Sequence, residues 1–182
     1  MSHSKPLGHD DVSGFEFARE MLDGNPTAAV NIERIQHHPD KGFIIFEYLK
    51  CEQRDDVNPH TSHPSKYWDK NKSKFLSLWR IARALNATLY LVNYADAGTR
   101  DSDMILVIEV LDMDENGITR ESVTQHTRGS FQQFFRALNT ECLGEIPCPL
   151  CGSPMVKRKG PKKEFYGCKQ FPTTGCTGKI FI

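Results

Sequence analysis

The chain has 182 residues, 38% hydrophobic and 25% charged, and its 23 Lys and Arg balance 23 Asp and Glu to a formal net charge of zero. That is enough for one core-forming domain with a small appendage, too little for a multidomain machine, and too apolar for a disordered chain. No run of about 18 apolar residues offers a membrane helix, and the polar residues 1–11 lack the apolar segment of a secretory signal, so a cytoplasmic protein without membrane contact is expected.

In chain order, Ser13-Gly14-Phe15-Glu16 is a capping-box pattern. It predicts a short helix carrying Phe17, Ala18, Met21 and Leu22, stopped by Asp23-Gly24-Asn25-Pro26. Residues 28–36 and 42–51 read as strands around a turn, and Phe43-Ile44-Ile45-Phe46 makes the second apolar enough for burial on both faces. The polar, proline-bearing residues 52–69 predict a long loop. His60 and His63 stand there at ligand-like spacing. No cysteine or carboxylate pattern completes a metal site, so they read as hydrogen-bonded loop residues or substrate contacts.

Residues 70–86 predict an amphipathic helix with Phe75, Leu78, Trp79, Ala82 and Leu85 on its core face. Residues 88–95 and 104–111 read as two further strands, followed by a turn at Asp114-Glu115-Asn116-Gly117. A second capping box, Ser130-Phe131-Gln132-Gln133, opens a helix whose inner face is Phe131, Phe134, Phe135 and Leu138. The order predicts an α+β fold over residues 1–143, a small mixed β-sheet flanked by helices, with residues 144–182 as a separate module.

That tail changes the meaning of the zero charge. From Cys148 onward seven basic residues face only Glu164, so the tail carries +6 and residues 1–147 carry −6. Such a split suggests that the tail meets a polyanion. Four of the six cysteines lie here, Cys148 and Cys151 as C-x2-C and Cys168 and Cys176 as a second pair, which is the pattern of a tetrahedral structural Zn2+ site. Metal binding would supply the folding energy that so small a core lacks. Lys157, Arg158, Lys159, Lys162 and Lys163 sit between the knuckles as candidates to neutralise phosphates, and Phe165, Tyr166 and Phe171 are candidates to stack on bases.

Cys148-Pro149-Leu150-Cys151-Gly152, Met155-Val156-Lys157-Arg158-Lys159-Gly160 and Phe165-Tyr166-Gly167-Cys168 together resemble the C-terminal zinc finger of type IA DNA topoisomerases. The resemblance implies a four-cysteine zinc ribbon that binds DNA, mainly single-stranded. Residues 1–147 are too few for a complete topoisomerase.

The helix–strand–strand–helix–strand order of the front domain resembles the PD-(D/E)XK, or restriction-endonuclease-like, core. That resemblance implies Mg2+-dependent DNA hydrolysis, with Glu33 (or Asp40) as the first acid, Glu47 as the second, and Glu16 or Glu20 as a further carboxylate. The family's lysine position falls on Leu49, so Lys50 brought round by a bulge, or Lys72 or Lys74 on the following helix, would have to serve. The leading expectation is a zinc-containing DNA-binding protein with a deoxyribonuclease-like front domain. The alternative is a non-catalytic accessory protein whose ribbon alone touches nucleic acid while the front domain binds a protein partner.

Overall fold

The computed structural model describes residues 13–52, 57–161 and 163–182. The chain falls into two compact units, Met1–Asn31 and Ile32–Ile182. The first holds α1 (Ser13–Leu22), the expected amphipathic helix, with Phe15, Phe17 and Met21 exposed.

The second unit is built on a five-stranded sheet in the order β1 (Arg34–His38), β2 (Gly42–Lys50), β3 (Thr88–Tyr94), β4 (Ile105–Asp114) and β5 (Gly117–His126). Neighbours are antiparallel except β2 and β3, which run parallel with α2 (Trp68–Ala84) as the crossover between them. The mixed α+β architecture is therefore as expected.

The two-residue period of the strands divides the core between the two faces of the sheet. Ile44, Phe46, Val92, Ile105 and Val107 join Leu138 of α3 (Arg128–Cys142), with Phe131, Phe134 and Phe135 packed over them. Ile45, Glu47, Leu89, Leu91 and Ile108 are equally buried on the alternate face, and Phe75, Leu78 and Ala82 are the buried residues of α2. Burying a side chain of this size stabilises by about 1.5–3 kcal/mol, so the doubly covered sheet dominates the stability of the unit.

Four local features differ from expectation, the first being that β1 spans Arg34–His38 rather than residues 28–36. β5 is an additional strand, mostly exposed, held by its ladder to β4 rather than by a buried face. Its hairpin closes where the Asn116 N–H donates to Asp114 Oδ1 at 2.7 Å and Gly117 takes a φ of 147°. α3 starts before the expected Ser130 cap: Thr127 is the N-cap, and its hydroxyl accepts the Ser130 N–H at 3.1 Å. The long loop contains a 3-10 turn, Pro64–Tyr67, capped by His63. Buried Asn93 pins this loop, its Nδ2 donating to the carbonyls of Pro59 (3.2 Å) and Ser62.

The tail folds as a three-stranded antiparallel sheet of β6 (Met155–Lys159), β7 (Glu164–Cys168) and β8 (Lys179–Phe181), with a single helical turn α4 (Phe171–Thr174) before β8. It is seated on α3. The buried Thr140 hydroxyl donates to the Gly152 carbonyl at 2.9 Å, and Gln133 Nε2 donates to the Pro149 carbonyl at 3.0 Å. Gly152, with a φ of 73°, comes so close to α3 that a Cβ would overlap the Gln133 carbonyl oxygen and stand 2.6 Å from the Ala137 nitrogen.

Candidate metal centre and nucleic-acid interface

The four predicted ligands converge. Cys148 and Cys151 flank a tight turn closed by the Gly152 N–H on the Cys148 carbonyl at 2.8 Å, Cys168 ends β7, and Cys176 follows α4. All four sulfurs lie within 4.8 Å of one another, with Cys148–Cys176 at 3.7 Å and Cys151–Cys168 at 3.6 Å. Thiolates about 2.3 Å from a central Zn2+ stand about 3.8 Å apart at the corners of a tetrahedron, so the set fits zinc as it stands. The long interval between Cys168 and Cys176 is absorbed by α4, which ends at Gly175 in the left-handed region (φ 70°). The Gln170 N–H donates to Cys168 Sγ at 3.4 Å, a contact that steadies a ligating thiolate. Gly178 lies directly on the cluster, where a Cβ would overlap Cys148 Sγ.

The ribbon's register divides the predicted interface residues between two faces. Met155, Lys157 and Lys159 share a face with their partners Cys168, Tyr166 and Glu164, and Tyr166 packs on the cysteine cluster. Arg158, Phe165 and Phe181 share the other face. There Phe165 meets Phe181 with ring centroids 6.4 Å apart, and the Lys179 ammonium lies 5.4 Å from the Phe165 ring centre. Arg158, Phe165, Phe171 and Lys179 border a hollow of about 160 Å3. Of the basic candidates, Lys157 is paired with Glu164 at 2.7 Å, Arg158 donates to the Cys168 carbonyl at 3.4 Å, and Lys159 and Lys163 are exposed. Lys162 lies outside the described residues. Phe171, a predicted stacking candidate, thus borders the same hollow, whereas Lys179 and Phe181 were not among the predicted contacts. The alternation of Lys179-Ile180-Phe181 at the chain's end is the signal that points to both.

On the front domain, Glu47 is completely buried on the α2 face of the sheet, and its counter-charge is Lys74 of α2. Lys74 reaches Oε1, leaving Oε2 without a donor among the described residues. Burial raises the Glu47 carboxyl above its usual range, Lys74 pulls it back, and the charge of Glu33 pushes it up again. The carboxylate floors a cleft of about 520 Å3 bordered by Cys51, Ser62, Lys66, Tyr67, Lys70, Asn71 and Lys74. Burial pushes the Tyr67 phenol up to about 12, helped by the neighbouring Cys51, while a hydrogen bond with Ser62 opposes the rise.

The other predicted acids and lysines are placed elsewhere. Glu33 Oε2 accepts the Tyr48 N–H at 2.7 Å and borders a hollow on the α3 face with Tyr94, Arg128 and Phe135. The β2–β3 register runs without a shift from Ile44 to Lys50, so Lys50 stays on the face opposite Glu47 and pairs with Asp96 at 2.5 Å. Lys72 pairs with Glu115 at 3.3 Å. Asp40 sits in the β1–β2 turn, its N–H donating to His38 Nδ1 at 3.1 Å, and Glu16 and Glu20 lie on α1. His63 is held by Glu121 at 2.9 Å and by Ser65, which fits a loop-organising role.

Residues 145–179 match the family model for the topoisomerase DNA binding C4 zinc finger. A stretch of 57 residues is 39% identical to DNA topoisomerase 1 of Alkalihalophilus pseudofirmus. It covers 31% of this chain and 8% of that protein, so the chain corresponds to a small fraction of its relative's length. No solved structure matches the chain. The tail is thus a topoisomerase-type, four-cysteine zinc ribbon, and the family match covers the ribbon alone.

Proposed function

We propose that this is a cytoplasmic, zinc-dependent DNA-binding protein that prefers single-stranded or distorted DNA. The ribbon's outer face carries the reading: Phe165 and Phe181 offer π surfaces to unpaired bases, and Lys179 and Arg158 flank them with positive charge. Stacking on an aromatic side chain is worth about 1–3 kcal/mol per base. Phe165→Ala is therefore expected to weaken binding of a labelled single strand about 5- to 150-fold while zinc content is unchanged. Tyr166→Ala, which strips a cover from the cysteine cluster, should lower ribbon stability instead. Equal affinity of Phe165→Ala and wild type at matched salt rejects the stacking face.

The second part of the proposal is a metal-dependent, nuclease-like centre at Glu47. The orphaned Oε2 beside Lys74 supports it, since a buried carboxylate oxygen without a donor is a natural Mg2+ ligand. When bound, Mg2+ supplies Lewis-acid polarisation of a phosphoryl oxygen. Glu47 would hold the ion through Oε2, and Lys74 would keep its ammonium beside the negative charge that develops on the phosphate. Cleavage of single- and double-stranded DNA with Mg2+ or Mn2+ should then be lost in Glu47→Ala.

The accessory reading has its own support. Glu33 lies outside the cleft, the Lys74 pair already compensates Glu47, and α1 exposes Phe15, Phe17 and Met21 to a protein partner. Wild type and Glu47→Ala equally inert on every substrate would decide for it.

A further inference from the structure

The Glu47 cleft, whose rim also carries Glu52, has cations that the buried carboxylate does not require. Lys70 and Lys74 stand a turn apart on α2, Lys66 lies on the 3-10 turn before it, and all three border the cleft. Lys74 is committed to Glu47. Lys66 and Lys70 are exposed and pair with no carboxylate among the described residues. Their neighbours differ, Lys72 being matched by Glu115 at 3.3 Å and Lys50 by Asp96 at 2.5 Å. Asn71 adds an amide at the same rim, its side chain held among the described residues only by a long 3.5 Å hydrogen bond to the Tyr67 carbonyl.

Two exposed lysines without a carboxylate partner among the described residues, one on the 3-10 turn and one on α2, at a cleft of about 520 Å3, suit an extended anion better than a single ion. We propose that Lys66 and Lys70, with Asn71, form a phosphate track on the front domain, a second nucleic-acid contact that takes successive backbone phosphates of a polynucleotide strand. It rests on the reading of the protein as DNA-binding, but on neither the ribbon's stacking face nor catalysis at Glu47. Phosphates on this track would pass over the buried carboxylate, so the same contact would also present the backbone to Glu47 and Lys74.

The test uses the full-length, zinc-loaded protein and a labelled single strand of about 20 nucleotides. Affinity is measured from low to moderate salt for wild type, Lys66→Gln/Lys70→Gln and Lys72→Gln. Each phosphate contact on a single strand contributes about −0.7 to the slope of log affinity against log salt, so the double variant should flatten it by about 1.4. Lys72→Gln, which removes a lysine already matched by Glu115 outside the cleft, should leave the slope as it is. The charge-reversed Lys66→Glu/Lys70→Glu should weaken binding further, with urea unfolding confirming that both variants are folded.

Wild type that fails to bind DNA at any salt defeats the DNA-binding reading and the track together. Wild type that binds with a slope the double variant retains defeats the track and leaves the ribbon reading intact. Inorganic phosphate distinguishes the source of the anion. Competition at millimolar phosphate beyond that of chloride at equal ionic strength, lost in the double variant, would mark a small-phosphate site and overturn the polynucleotide assignment.

Discussion

Replacing Lys74 by methionine isolates the Glu47 charge. Glu47 is 0% exposed, whereas the Lys74 side chain is 38% exposed. Removing one partner of a fully buried pair costs about 3–5 kcal/mol, and water at Lys74 discounts this, so about 2–3 kcal/mol is expected at pH 8. The loss must also depend on pH. The Glu47 carboxyl in the folded wild type already lies above its usual 4.5, through burial first, with Lys74 opposing and Glu33 reinforcing. An acid raised on folding contributes stability that is full below its unfolded pKa and is lost as pH climbs through the folded one. Without Lys74 the folded value rises further, so Glu47 stays protonated in the variant over a range where the wild type is ionised. Across that range the stability gap widens by up to about 1.4 kcal/mol per pH unit, then levels once the variant ionises. Urea unfolding of the zinc-loaded protein at several values between about pH 5 and 8 reads the gap directly. Glu47→Gln/Lys74→Met, compared with Glu47→Gln, should show no such widening. A gap that is flat with pH, or below about 1 kcal/mol at pH 8, would refute the reasoning.

Two further substitutions test the ribbon. Gly178→Ala places a methyl group on Cys148 Sγ and should lower zinc affinity at least tenfold, read by competition with a chromogenic chelator, while the front domain stays folded. Gly152→Ala forces a Cβ into the α3 backbone at a φ of 73° and should cost about 1–3 kcal/mol. Zinc content should be retained while thermal stability falls and proteolysis near Leu143–Pro147 accelerates; unchanged proteolysis would mean that the ribbon does not depend on this seam.

The elements with strong periodicity were legible without the structure. Phe75, Leu78 and Ala82 mark the inner face of α2, and the apolar run through Ile44-Ile45-Phe46 marks β2 as central. β5 was not, because a solvated edge strand carries little hydrophobic signal: Ile118 and Val123 stand among Thr119, Arg120, Glu121, Ser122 and Thr124. Its β-branched residues after Asn116-Gly117 were the usable hint, since that dipeptide commonly closes a hairpin. The cysteine set could be read from spacing because thiolates at two knuckles have few other uses. The Glu47–Lys74 pair could not, since it exists only once α2 is laid across β2 and β3, and sequence distance carries no information about which lysine a crossover helix delivers. The division of Phe165 from Tyr166 follows from strand alternation, yet which of them faces the zinc depends on Cys168 ending the same strand.

The placement of the two candidate surfaces bears on what kind of DNA can use both. The ribbon is seated on α3, the Glu47 cleft opens beside α2, and the five-stranded sheet lies between those helices. A ligand touching Phe165 and Lys70 together would have to pass from the α3 side of the sheet to the α2 side. Double-stranded DNA has a persistence length of about 50 nm, many times the radius of a domain of about 150 residues, and bending 20–30 base pairs by 40–90° costs about 1–6 kcal/mol. A single strand turns at every backbone bond and incurs little of that cost. The proposed preference for single-stranded or locally opened DNA would therefore have two independent physical sources, base stacking on the ribbon and the curvature needed to reach the cleft. They separate experimentally: Phe165→Ala removes the first, and Lys66→Gln/Lys70→Gln removes the second by abolishing the reason to bend. If single-strand preference survives both changes undiminished, neither surface is its origin.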